Sequence, residues 1–68
     1  MRIYVNDEPR EVIAGEATVA ALMAAAGLPS LEGVAVAVND GVVPRSRWER
    51  HALVEGDRVL VIRATQGG

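Results

Sequence analysis

The sequence predicts a small α+β domain, a mixed β-sheet with one helix packed across it, in the order β-β-α-β-β-β. Three observations predict it. Apolar and polar residues alternate at the start, around Ile3 and Val5, and an aliphatic run closes the chain from Val59 to Ile62. One stretch between them places Val19, Leu22, Met23 and Ala26 at i, i+3, i+4 and i+7, the stripe of an amphipathic helix. Two Asn-Asp pairs, Asn6-Asp7 and Asn39-Asp40, fall where strands would have to turn.

Taken in order, residues 2–6 read as a half-buried strand, with Ile3 and Val5 opposite Arg2, Tyr4 and Asn6. Asn6-Asp7-Glu8-Pro9 is a polar turn in which Pro9 is expected to block the strand. Arg10 to Ile13 then returns as a second short strand, completing a hairpin. Thr18 is the expected N-cap of the helix, with alanines filling its other positions. Gly27 stops it and Pro29 prevents re-entry. Val34 to Asn39 is β-branched and small, suited to the middle of a sheet. Asn39-Asp40-Gly41 turns it into Val42-Val43, which Pro44 ends. A charged excursion from Arg45 to His51 surrounds Trp48, and Leu53-Val54 returns to the core. After a tight turn at Glu55-Gly56-Asp57 comes the last strand, Arg58 to Ala64. The first and last strands are apolar enough to lie side by side in the sheet centre, the arrangement of a ubiquitin-like β-grasp. Residues 1–64 are expected to form the domain and residues 65–68 a flexible tail.

Composition narrows the chemistry. A chain of 68 residues buries only ~60% of the surface it exposes unfolded, so the core is thin. It lacks Cys and Phe, so the core is aliphatic and neither disulfides nor thiolate metal sites are available. All seven basic residues are Arg, and the net charge of −2 argues against nucleic acid as a partner. No stretch approaches the ~20 apolar residues of a membrane span, and the mixed N-terminus is unlike a signal peptide, so a cytoplasmic location is expected.

The conspicuous residues are read structurally. Asp57 after Gly56 is a turn residue rather than a catalytic carboxylate. His51 is a lone histidine without a Cys partner, so no metal site is expected. Asp40 and Glu49 have no spacing that would pair them as acid and base. Trp48 among Arg45, Arg47 and Arg50 could form a stacking patch for nucleic acid, but Glu49 interrupts it and packing beneath the turn is favoured. Gly15, Gly27 and Gly33 stand alone, so no phosphate loop is present and any nucleotide would bind a partner.

The reacting group is expected at Thr65-Gln66-Gly67-Gly68. A carboxylate is a poor electrophile, because its charge repels nucleophiles and oxide does not leave. Transfer of AMP from ATP gives an acyl-adenylate with a good leaving group, splitting one hard step into two. An activating enzyme must thread the carboxylate down a narrow channel. Gly67 and Gly68, lacking Cβ, let channel walls approach the backbone.

With these residues in place the chain resembles the ThiS family, sulfur carriers of thiazole formation in thiamine biosynthesis. The likeness rests on Met1-Arg2-Ile3-Tyr4-Val5-Asn6-Asp7, on Gly15 with Thr18-Val19 and Leu22, and on Val36-Ala37-Val38-Asn39. Val43-Pro44-Arg45-Ser46 with Trp48, then Gly56-Asp57, and finally Gly67-Gly68 complete it. It implies a carrier that is not itself an enzyme. An adenylating enzyme of the ubiquitin-activating kind (ThiF type) would use ATP on Gly68, and a cysteine desulfurase relay would supply sulfur as a thiocarboxylate. A thiazole synthase (ThiG type) would consume it.

The last strand is apolar on both faces, Val59, Val61 and Arg63 against Leu60, Ile62 and Ala64. Period alone puts Leu60 and Ile62 inside, because Arg63 marks the other face as wet. The resemblance implies the reverse, with Leu60 and Ile62 displayed as a partner contact and Arg63 steering an acidic surface. Among rivals, the small subunit of molybdopterin synthase carries a Phe-Pro-Pro-like run before its diglycine, where Ile62-Arg63-Ala64-Thr65-Gln66 stands here. Carriers for tRNA thiolation or cysteine synthesis share the fold and tail and stay open, as do a ubiquitin-like modifier and a plain β-grasp binding module.

Overall fold

The computed structural model describes residues 1–63. Strand β1 (Arg2–Val5) turns into β2 (Glu8–Glu11), followed by helix α1 (Val19–Ala25), β3 (Val34–Val38), β4 (Gly41–Val43), a 3-10 turn at Arg45–Arg47, and β5 (Arg58–Arg63). The five strands form one sheet in the order β2-β1-β5-β3-β4. The first and last strands therefore lie side by side, paired in parallel at Tyr4↔Arg58 and Val5↔Val59, while β5 meets β3 antiparallel from Val34↔Arg63 to Val38↔Val59.

Both hairpins use the same two residues in the same conformation. Asn6 and Asp7 have φ of 51° and 71°, and Asn39 and Asp40 have 50° and 72°. Two successive left-handed residues match the strand twist in a two-residue hairpin, and Asn and Asp tolerate that region better than most side chains.

The first hairpin corrects one expectation. Pro9 does not stop the chain: β2 starts at Glu8 and runs through Pro9, ending at Glu11, so Val12 and Ile13 fall outside it. Met1 and Val12 exchange both backbone bonds, at 2.7 and 2.8 Å. Pairs along an antiparallel ladder alternate, so Tyr4↔Pro9 is a pair that exchanges no bonds. Pro9 thus lacks its N–H at a site facing away from β1, on an edge strand where no partner is missed.

Helix α1 covers one face of the sheet. Thr18 caps it as expected, its Oγ1 accepting the Ala21 N–H at 3.1 Å. The other free donors of the first turn are also met. Val19 donates to the His51 carbonyl and Ala20 to that of Trp48, both at 3.0 Å, and the helical ladder itself opens with Leu22 donating to the Thr18 carbonyl at 2.9 Å. Val19, Leu22 and Met23 are buried, and full burial of such a side chain stabilises by ~1.5–3 kcal/mol. Ala26, the fourth residue of the predicted stripe, is instead the exposed C-cap, and Gly27 follows with φ of 73°.

The core joins these residues to Ile3, Val36, Val38, Val43, Trp48, Leu53 and Val59. Trp48 is 4% exposed and donates its Nε1–H to the Val43 carbonyl at 2.9 Å, with the Arg45 guanidinium 5.7 Å from its ring centroid. It packs beneath its turn and offers no face for stacking a base. Leu53 enters the core, whereas Val54 beside it is exposed. Among the described residues no helix is long and apolar enough to cross a membrane.

Candidate functional site

Strand β5 leads into residues 64–68 and therefore sets where they begin. Its start is anchored by Asp57, which is 7% exposed and has both oxygens engaged. Oδ1 accepts Asn39 Nδ2–H at 2.8 Å and Oδ2 accepts the Val54 N–H at 2.9 Å. Asn39 in turn donates its backbone N–H to the Arg58 carbonyl at 2.8 Å and accepts the Arg58 N–H on Oδ1 at 2.9 Å. Asp57 is thus a structural brace of the turn, with no free oxygen aimed at a reactant.

Along β5 the side chains alternate. Val59 is 2% exposed under the helix, while Leu60 and Ile62 are 49% and 50% exposed on the opposite face. Period alone would have reversed these faces. The reason it misleads is local: Arg63 has the parity of Val59 and Val61 but ends the strand opposite Val34, which is only half-buried, where cover on the helix side runs out. The structure brings Leu60 and Ile62 together and leaves Arg63 exposed on the other parity.

The cross-strand partners of Leu60 and Ile62 on β3 are Ala37 and Ala35. Their small side chains leave the two larger ones standing above the sheet. Tyr4 from β1 and Val42 from β4, 36% and 75% exposed, extend the same face. A concavity at its edge is lined by Tyr4, Ala37, Arg58 and Leu60, with Asp7 and Asp40 contributed by the two hairpin turns. The Arg2 guanidinium on this face donates to Glu11 at 2.6 Å, and that hydrogen bond and charge raise its pKa further above the ordinary arginine value.

This face can bind an apolar surface; it holds no catalytic constellation. Among the described residues no three His, Cys, Asp or Glu side chains gather to hold a metal. Gly67 and Gly68, the residues expected to carry the chemistry, lie outside the described residues. Sequence reasoning missed the Asn39–Asp57 brace and a second carboxamide contact, from Asn6 to Val61. The Asn-Asp pair repeated in the sequence marked the two turns but not the distant partners of these carboxamides.

Comparison with known proteins agrees along the whole chain. The model of the ThiS family matches residues 3–68. The sulfur carrier protein ThiS of Escherichia coli (strain K12) is 34% identical over 68 residues, covering all of both chains. A crystal structure of the thiamine biosynthesis protein (ThiS) from Geobacter metallireducens superposes with a TM-score of 0.82 at 29% identity, again covering all of both chains. A solution structure of a thiamine biosynthesis protein from the same organism gives a TM-score of 0.77 at 29% identity, covering all of this chain and 88% of that one. With family model, sequence and fold in agreement, the chain belongs to the ThiS family.

Proposed function

We propose that this sulfur carrier of thiamine biosynthesis works through the carboxylate of Gly68, which a ThiF-type adenylating enzyme activates with ATP. The carboxylate oxygen attacks the α-phosphate and pyrophosphate leaves, giving an acyl-adenylate. Sulfide displaces AMP and leaves a thiocarboxylate directly. A cysteine desulfurase relay delivers sulfur as a persulfide, whose outer sulfur displaces AMP to give an acyl disulfide. A second thiol of the relay then attacks the relay's own sulfur of that bond, releasing the thiocarboxylate and closing a disulfide on the relay. That sulfur is the better nucleophile and remains on an acyl group able to leave, which suits its use by a ThiG-type thiazole synthase. The carrier itself contributes an address and a handle, and ATP binds the partner. A cytoplasmic setting, in which a cysteine relay stays reduced, suits this cycle.

The observation that carries the reading is the placement of Leu60 and Ile62, half-exposed on the strand that runs into the diglycine segment. A partner that covers this face receives residues 64–68 at a fixed starting point. Arg63, exposed at the end of the strand on the other parity, would meet acidic groups of a partner that reaches round the strand end, and Gly67 would admit the channel walls.

The absence of cysteine makes the test specific. The chain is incubated with a ThiF-type enzyme, ATP and sulfide, treated with a thiol-directed alkylating agent, and weighed intact. One alkylation that requires ATP and disappears on removal of Gly68 is expected. No alkylation, with the enzyme active on its own carrier, would overturn the reading. High-mass adducts on immunoblots would instead favour a modifier joined to lysines.

A further inference from the structure

The last strand outruns its neighbour. Parallel pairing with β1 ends at Val5↔Val59, and the final backbone bond between the two is Asn6 N–H to the Val59 carbonyl at 2.9 Å. Two residues further on, the Asn6 side chain takes over. Its Oδ1 accepts the Val61 N–H at 2.9 Å, and its Nδ2 reaches the Val61 carbonyl at a longer 3.5 Å. One carboxamide thus stands in for the peptide group that β1 would have supplied had it continued. It is free to do so because Asn6, at φ of 51°, has already turned the backbone away toward β2. Beyond Val61, Ile62 and Arg63 pair with Ala35 and Val34 of β3 among the described residues. Asn39 occupies the equivalent turn position on the other side of β5, but its bonds go to Asp57 and Arg58 at the strand's beginning. Among the described residues, Asn6 is the side chain that braces this end of β5 on its β1 side, opposite the β3 ladder.

We infer that Asn6 is a positioning residue for carrier activation: its carboxamide completes the ladder at Val61 and so fixes the exit of the segment that ends in Gly68. The inference rests on the function proposed above. A strand end held in one register presents Leu60 and Ile62 to the activating enzyme already ordered. Without the brace, that ordering is lost on binding and weakens affinity, while the chemistry of the bound carboxylate is unchanged.

Asn6→Gly separates the brace from the turn, because glycine is at ease at positive φ and carries no carboxamide. In the free variant the Val61 amide is expected to exchange hydrogen roughly three- to tenfold faster, the factor one net hydrogen bond corresponds to. Core amides such as that of Val36 should keep their protection. With the ThiF-type enzyme, at a temperature where both proteins are fully folded, the KM for the carrier is expected to rise by a similar factor of roughly three to ten, with kcat retained. Asn6→Asp keeps an acceptor for the Val61 N–H and should recover part of the wild-type KM. A role confined to stability would lower the melting temperature of Asn6→Gly and leave KM alone, which would overturn the inference, as would unaltered exchange at Val61 or an Asn6→Asp variant no better than Asn6→Gly. Failure of the wild-type carrier itself to be adenylated would instead overturn the proposed function, and the positioning role with it.

Discussion

The two faces of the sheet are written in the same aliphatic alphabet and meet opposite fates. Val36 and Val59 on the helix side are 1% and 2% exposed, whereas Leu60, Ile62 and Val42 on the other side are 49%, 50% and 75% exposed. Hydrophobicity does not separate them; the presence of one helix does. The covered face holds the fold together, and the open face carries apolar area that folding leaves unused. The covered face also admits one carboxylate, Asp57, because both its oxygens find donors there. The rule of that face is thus satisfaction of polar atoms, with apolar side chains the simplest way to obey it.

Val36→Asp should break the comparison most severely. It places a carboxylate on the covered face without partners, at a cost of about 3–5 kcal/mol for an uncompensated buried charge. A chain of this length has a total stability of roughly 3–10 kcal/mol, so loss of the folded circular dichroism spectrum at 37 °C is expected. Asp57→Asn sharpens it on the same face. The amide retains one acceptor and turns an NH₂ group toward a donor, so denaturant titration should show a loss of ~1–3 kcal/mol in a protein that still folds. Ile62→Asp, on the open face, should move stability by no more than ~0.5 kcal/mol. The KM for the ThiF-type enzyme should nonetheless rise by about tenfold or more, as expected for a residue central to a docking surface. Unchanged kinetics would remove Ile62 from the contact and leave the open face without its assigned purpose.

Much of this architecture was legible in the sequence, because local rules and the global fold agree. Thr18 announced the helix start, the two Asn-Asp pairs announced both hairpins, and Trp48 packed beneath its turn. The sequence misled where a residue's effect depends on which way it faces. Pro9 reads as a breaker, yet on an edge strand with its nitrogen turned outward it costs no bond. Ala26 fits the helical period but falls on the cap, past the last turn that packs. Arg63 obeys the period of the covered face and is exposed only because the cover ends there. The bonds from Asn39 to Asp57 and from Asn6 to Val61 span 18 and 55 residues, so no local pattern could have shown them.

The chain has one tryptophan and one tyrosine, and the sheet separates them. Trp48 lies in the core, while Tyr4 lies on the open face near Leu60. Each face therefore carries its own spectroscopic label. Trp48 emission follows unfolding and stays constant when a partner settles on Leu60 and Ile62. The Tyr4 ring, replaced by a fluorinated analogue, would change its resonance on docking and ignore small losses of stability. Folding and partner binding can be followed in one sample, with the fluorine on Tyr4 the sole added probe.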